Sequence, residues 1–370
     1  MKNKINLFVL SAVLLLNVQC SNKAKVSGTQ IKPIKQTTSY QDNRPSVKFR
    51  LEAKDAGIVY KHGQGPDSCD YIGARDIWVW EDKGTFYMHY DGAGPKGWLA
   101  CLAVSKDLTN WEAKGPALAF GKPESKDCAS ASYGTTCFDG KKWHMFYLGT
   151  PNVTPKPDYI PGFPYLCLKA EGNSPTGPWN KRYDITPFEP KEGTYYSSCI
   201  SPGHIVKNEN EYMMFFSAST GDPKIMRTIS LARTNDLDGK WKIDEKPILP
   251  VEEQIENTSL YFEKSNQTWF IFTNHVGIKG NLEYTDAIWV YWSKDLNNWD
   301  PANKAVVIDS TTSTWSKHII GLPSVVQMGN RLAVFYDGNN QAVMPQGFKS
   351  HMNRDIGLAW INLPIVPPTK

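Results

Sequence analysis

The chain has 370 residues, with 41 Lys and Arg against 37 Asp and Glu, a net charge of +4, 41% hydrophobic and 21% charged residues. Such a composition can bury a sizeable core, which excludes intrinsic disorder, and the weak, unclustered charge argues against a nucleic-acid partner. Aromatics stand out at 13 Trp, 17 Tyr and 15 Phe; they favour strands and also offer flat apolar platforms for a ring-shaped ligand.

Residues 1–20 read as an export signal. Lys2 and Lys4 precede an apolar run from Phe8 to Leu16 that is too short to span a bilayer, and Cys20 ends it ahead of the polar stretch Ser21 to Lys25. The arrangement resembles a bacterial lipoprotein signal with Cys20 as the lipid-bearing residue. Gln19 departs from the small residue usual there, and plain export is the alternative. The expected location is therefore exported, either membrane-anchored through the lipid or periplasmic. Residues 21–45, rich in Lys, Gln, Thr and Ser, read as a flexible tether. Six cysteines follow Cys20, an even number that permits disulfides in an exported chain, with Cys128–Cys137 the first pair to consider. The absence of a CxxC pair argues against a cysteine zinc site.

From residue 46 to residue 370 one pattern returns. Alternating aromatic and aliphatic segments occupy Phe86 to Gly92, Trp143 to Gly149, Tyr212 to Ala218, Trp269 to His275 and Leu332 to Gly338, with starts 57, 69, 57 and 63 residues apart. A turn signal precedes each, such as Asp82-Lys83-Gly84 and Asp139-Gly140, and another strand pattern precedes each turn, beginning near Asp76, Ser132, Ile200, Thr258 and Pro323. A third strand follows, and a closing motif ends most copies: Lys106 to Trp111, Gly177 to Trp179, Asp236 to Trp241 and Lys294 to Trp299. Four-stranded units repeating at this period predict an all-β, five-bladed β-propeller. The fifth unit stops after Asp355 to Trp360, and the segment Val47 to Tyr60 is placed to supply its missing outer strand. That N-terminal strand would close the ring and remove exposed edges.

In a propeller the first strand of each blade lines a central funnel, so polar residues at those strand starts converge. The first blade opens with Gly73-Ala74-Arg75-Asp76, where Arg75 is placed to hold Asp76 ionised. The fourth opens with Ile255-Glu256-Asn257, and partial burial of Glu256 would suit a general acid. One carboxylate to activate water and one carboxyl to protonate a leaving oxygen are the parts of glycoside hydrolysis. His275 and Asp286 cluster after the fourth blade and are candidates for substrate hydroxyls, and Trp98 and Trp315 for stacking on a sugar. Asp91 and Asp337, in matching Tyr-Asp-Gly segments, read as turn residues. No Walker loop, GxGxxG, HExxH or GxSxG element is present, which removes the main support for nucleotide, metalloprotease or serine-hydrolase readings.

The Ala-Arg-Asp opening, the five repeats and the later Glu resemble the five-bladed glycosidases of glycoside hydrolase family 43. A closer resemblance is to family 117, the neoagaro-oligosaccharide hydrolases (α-1,3-anhydro-L-galactosidases). It is carried by Tyr90 to Pro95, Gly97 to Cys101, Trp143 to Pro151, Asn274 to Gly277, Glu283 to Val290 and Ser316 to Pro323. The resemblance implies an exo-acting, inverting hydrolase that releases 3,6-anhydro-L-galactose from the non-reducing end of an oligosaccharide, with Asp76 as base and Glu256 in the acid machinery. No cofactor is required for that chemistry. It further implies a divalent cation on the propeller axis, faced through water by His318, and is compatible with an oligomer. Two departures are visible. Ser201 stands where the third blade of such enzymes carries an Asp that orients the acid, leaving Ser201 as a substrate contact. Ile255 stands where some members have a His. These departures also admit another sugar, such as a carrageenan-type anhydro-galactose or an arabinoside, or a sugar-binding propeller without turnover.

Overall fold

The computed structural model describes residues 28–38, 44–221, 224–279, 282–343 and 347–368. The expected signal and Cys20 lie outside the described residues. The chain is all-β, and the only helical turns among the described residues are three short 3-10 segments. No helix among the described residues is long and apolar enough to cross a membrane.

Three strands open the chain: β1 (Thr29–Thr38), β2 (Val47–Leu51) and β3 (Lys54–Tyr60). Four antiparallel units of consecutive strands follow, and a fifth borrows a strand from the N-terminal region. Unit one is β4 (Gly73–Asp82), β5 (Thr85–Gly94), β6 (Gly97–Ser105) and β7 (Trp111–Pro116). Unit two is β8 (Ser130–Phe138), β9 (Trp143–Thr150), β10 (Leu166–Gly172) and β11 (Asn180–Lys181). Unit three is β12 (Cys199–Asn208), β13 (Glu211–Ser219), β14 (Arg227–Thr234) and β15 (Lys242–Ile243). Unit four is β16 (Ile255–Glu263), β17 (Thr268–Lys279), β18 (Leu282–Ser293) and β19 (Lys304–Asp309). Unit five is β20 (Ile320–Met328), β21 (Arg331–Gly338) and β22 (Asp355–Asn362), completed by β3 as fourth strand. The last strand, β23 (Ile365–Val366), runs parallel to β1.

The part of the expected tether from Thr29 to Thr38 is instead strand. β1 pairs with β2, whose Arg50 lies beside Val306 of β19, so the N-terminal hairpin extends the outer edge of unit four. Alternating side chains allow this, since Ile31 and Leu51 turn inward into the core between units four and five.

Each unit buries both faces against its neighbours. Separate apolar clusters join unit one to two through Trp78, Leu102, Tyr133 and Met145, and two to three through Phe146, Cys167, Ile200 and Phe216. Others join three to four through Phe215, Ile229, Ile271 and Trp289, and four to five through Phe272, Val290, Val325 and Val334. A fifth joins five back to one through Phe335, Leu358, Val79 and Met88. The recurring closing motif is a set of local caps. Ser105 Oγ accepts the Leu108 N–H, Asp107 accepts those of Thr109 and Asn110, and the Trp111 indole donates to Leu108 O at 3.0 Å. Asp295 and Trp299 repeat it in unit four. All six described cysteines are free thiols, so the Cys128–Cys137 bridge is absent.

Candidate active site

The site is made by one irregularity used five times. In every unit the first strand slips register against the second at the same place: between Arg75 and Trp78, Ser132 and Gly134, Ser201 and His204, Glu256 and Ser259, and Gly321 and Ser324. A bulge of this kind leaves an extra residue unpaired and re-aims it. In four units that residue is left-handed: Asp76 (φ 53°), Tyr133 (φ 23°), Asn257 (φ 58°) and Leu322 (φ 49°). Left-handed non-glycine residues cost roughly 1 kcal/mol or more each. Here all four side chains, with Ser201 from unit three, line one central pit of about 40 Å³.

Side chains on the second strands fix the bulges from the neighbouring unit. Asp337 on β21 accepts the Asp76 N–H at 3.0 Å, Asp91 on β5 accepts that of Tyr133, and Ser217 on β13 accepts that of Asn257 at 2.7 Å. Asp91 and Asp337 are therefore strand residues that lock adjoining units, and the expectation that they serve turns is corrected. Beneath the pit the Trp78 ring of unit one meets His204 of unit three edge-on, with centroids 4.9 Å apart.

Asp76 is buried, and its Oδ2 receives two N–H groups of Arg75 at 3.0 and 2.9 Å. The guanidinium lies over the Trp98 ring, 5.0 Å from its centroid, and also bonds His351 Nδ1. Burial opposes the charge on Arg75, but the carboxylates of Asp76, Asp337 and Asp91 outweigh it and raise its pKa. Burial, with Arg75, Arg354 and Arg227 adding repulsion, pushes His351 well below the usual histidine range, so it is a neutral acceptor.

Glu256 reaches the pit from unit four with a similar support. Arg227 NH1 lies 2.8 Å from its Oε2, Asn274 donates to Oε1 at 3.3 Å, and the Arg227 guanidinium sits 5.5 Å from the Phe163 ring centroid. The apolar neighbour expected for Glu256 is turned away: Ile255 is fully buried in the core between units three and four. An arginine partner stabilises the charged carboxylate. Ser201 lines the pit beside Cys199, whose Sγ is 3.3 Å from the hydroxyl.

Four expected site residues lie elsewhere, together with the expected cation-facing histidine. Trp98 is fully buried beneath Arg75 and donates to Asp158 O at 2.9 Å, so it supports the arginine and presents no face to a sugar. His275 is fully buried between Arg44 and Asp286, with Arg44 at 2.7 Å from Nε2 and Asp286 at 3.0 Å from Nδ1. Asp286 holds Arg44 through both oxygens, and neither His275 nor Asp286 lines the pit. Trp315 stacks on Tyr336 at 5.6 Å and packs against Gly357 of β22, on the outer part of unit five. His318 precedes β20, its Nε2 is 3.2 Å from Ala342 O, and it is not among the residues lining the pit. Among the described residues no group of three or more His, Cys, Asp or Glu is placed to hold a metal ion.

A groove of about 1000 Å³ runs between the outer parts of units one and two past Phe120, Trp179 and Lys181. Asp67 is its one carboxylate. Paired acids are found in the small central pit.

No family model matches the chain, and no curated protein matches its sequence. Solved structures do match. The complex of BT0996 with RGII aligns over 86% of this chain and 95% of its own, with a TM-score of 0.64 and 15% identity. The catalytic domain of a Coprinopsis cinerea family 62 α-L-arabinofuranosidase aligns over 84% and 96%, with 0.59 and 10%. Zg3597, a family 117 glycoside hydrolase of the marine bacterium Zobellia galactanivorans, aligns over 83% and 90%, with 0.56 and 16%. The chain shares its fold with glycoside hydrolases. At these identities the likeness concerns the fold; the chemistry rests on the pit itself.

Proposed function

We propose that this chain is a glycoside hydrolase working in the central pit of a closed five-bladed β-propeller. The ring reading is supported by the five inter-unit cores, including the one between units five and one, and by the bond from Asp337 of unit five to the Asp76 N–H of unit one. The observation that carries the function is the pairing of Asp76 and Glu256 in one pit, each braced by an arginine lying over an aromatic ring.

In this reading Asp76 takes a proton from water. The resulting oxygen nucleophile bonds to the anomeric carbon as the glycosidic bond breaks, with inversion. Glu256 gives its proton to the leaving oxygen. A sugar closing the pit excludes water and favours the neutral acid before reaction. Arg227 then stabilises the carboxylate left behind. Ser201 and Arg75 contact the substrate.

By its likeness to family 117 the first substrate to test is a neoagaro-oligosaccharide, cleaved from the non-reducing end to 3,6-anhydro-L-galactose. A second reading, a pectic or arabinose-containing oligosaccharide, is favoured by the higher TM-scores of the RGII complex and the arabinofuranosidase. Incubation with neoagarobiose and with a panel of arabinosides, followed by product analysis, separates them. Binding without any released sugar across the panel would refute the hydrolase reading. Export with a lipid on Cys20 is proposed too, and incorporation of labelled palmitate that persists in Cys20→Ser would refute it.

A further inference from the structure

The pit is lined by a second acidic side chain, besides Asp76 and Glu256, that the hydrolytic scheme above leaves unused. Asp76 Oδ2 is occupied by Arg75, while Oδ1 is buried and no donor among the described residues reaches it. Asp91 lines the same pit, on β5 opposite Arg75 in the ladder, and is 2% exposed. Its Oδ1 is taken by the Tyr133 N–H. The remaining oxygen of Asp91 is therefore the natural partner of Asp76 Oδ1. Two carboxylates in contact in a buried site do not both stay ionised; one proton between them turns repulsion into a hydrogen bond.

We propose that Asp91 is a positioning residue whose carboxyl carries a proton into a hydrogen bond with Asp76, so that the two side chains form one base. The proposal rests on the hydrolase reading for its purpose, though not for its existence. Other groups around Asp91 are Arg75 on β4 and Tyr133 on β8, whose N–H it accepts; Cys101 on β6, paired with Tyr90, lies on the other face of the sheet. Asp337 and Arg354 complete the surroundings of Asp76. Burial, then the charge and hydrogen bond of Asp76, raise the Asp91 pKa well above the usual carboxyl range. One proton between the two carboxyls leaves the pair with a single negative charge. When water is activated its O–H bond breaks and the proton joins the pair, which then holds two protons and no charge. Oxygen bonds to the anomeric carbon as the glycosidic C–O bond breaks, and the leaving oxygen takes the Glu256 proton.

The test is infrared spectroscopy of the whole protein at neutral pH, in the protonated-carboxyl stretching region. A band is expected in the native chain and is expected to be lost in Asp91→Asn. In Asp76→Asn, Asp91 sits beside Arg75 without a competing carboxylate, and the band should be lost there also. This second variant decides the matter if Asp91→Asn does not fold. No band in the native chain, or a band unchanged in the variants, overturns the proposal. Kinetics form the other arm. Asp91→Asn replaces one neutral donor by another and should keep the acid limb of the kcat/KM profile in place. Asp91→Leu removes the donor and should lower kcat roughly ten- to hundredfold at unchanged KM. An acid limb that moves to lower pH in Asp91→Asn would mean that Asp91 is ionised, and would also overturn the proposal. If the native chain cleaves no glycoside, the hydrolase reading fails while the infrared band still decides the shared proton.

Discussion

His204 makes the molecule's stability depend on pH in a direction and amount that can be worked out. It sits on β12 beneath the pit, where its Nδ1 accepts the Leu260 N–H at 3.0 Å and its ring meets Trp78. Burial lowers its pKa from 6.5 to about 4. Between these values the unfolded chain binds a proton there and the folded chain does not, so acidification favours unfolding. One proton taken up on unfolding costs about 1.4 kcal/mol per pH unit. Over the window from 6.5 to about 4 this amounts to roughly 3 kcal/mol, fully lost at its lower end. His89, buried against Gly134 O and lowered to about 3, and His351 act in the same sense, whereas His62, raised by its hydrogen bond to Asp355, and Asp91, raised by burial, act in the opposite one. The informative comparison is therefore His204→Asn, whose side-chain oxygen can replace Nδ1 as acceptor without titrating. Urea unfolding at several pH values between 7 and 4 should show the variant losing roughly 3 kcal/mol less than the native chain across the window. Equal losses in the two proteins would refute this reading of His204.

Asp337→Ala leaves Arg354 buried without its 2.7 Å partner and removes the bond joining unit five to unit one. A loss of about 3–5 kcal/mol is expected by urea unfolding. Trp98→Ala opens a cavity under Arg75 and should cost about 3–5 kcal/mol while also reducing hydrolysis. A stable variant that bound oligosaccharide more weakly with unchanged kcat would instead return Trp98 to a sugar-stacking role. Gly203→Ala would bring Cβ to 1.7 Å from Phe215 O, a backbone atom that cannot yield. No soluble folded protein is expected, as judged by expression and circular dichroism.

Much of the fold was legible because it repeats. Aromatic alternation at a near-constant period marked the second strands, and the turn residues before them marked the hairpins. The truncated fifth copy pointed to an N-terminal strand, and β3 does pair with β22. The strand from Thr29 to Thr38 was hidden by its polar composition, since it lies at the outer side of unit four, where Gln30, Lys32 and Lys35 are exposed.

Asp76, Arg75, Glu256 and Ser201 were legible because they sit at first-strand starts, which the repeat locates. Asp91 and Asp337 were misread because Tyr-Asp-Gly is also a turn signature. Their recurrence at the same place in units one and five was the signal available. Arg227 gave no signal, because the start of a third strand reaches Glu256 only through a long side chain. Trp98 and Trp315 were misplaced since composition does not tell a buried ring from an exposed one.

The most direct measurement is hydrolysis of an oligosaccharide panel by the native chain, Asp76→Asn and Glu256→Gln, each first shown to be folded by circular dichroism. The native chain should release a monosaccharide from at least one member, and both amide variants should release none above background while still binding that member. Full turnover by either folded variant would show that the bond is not broken between these two carboxylates.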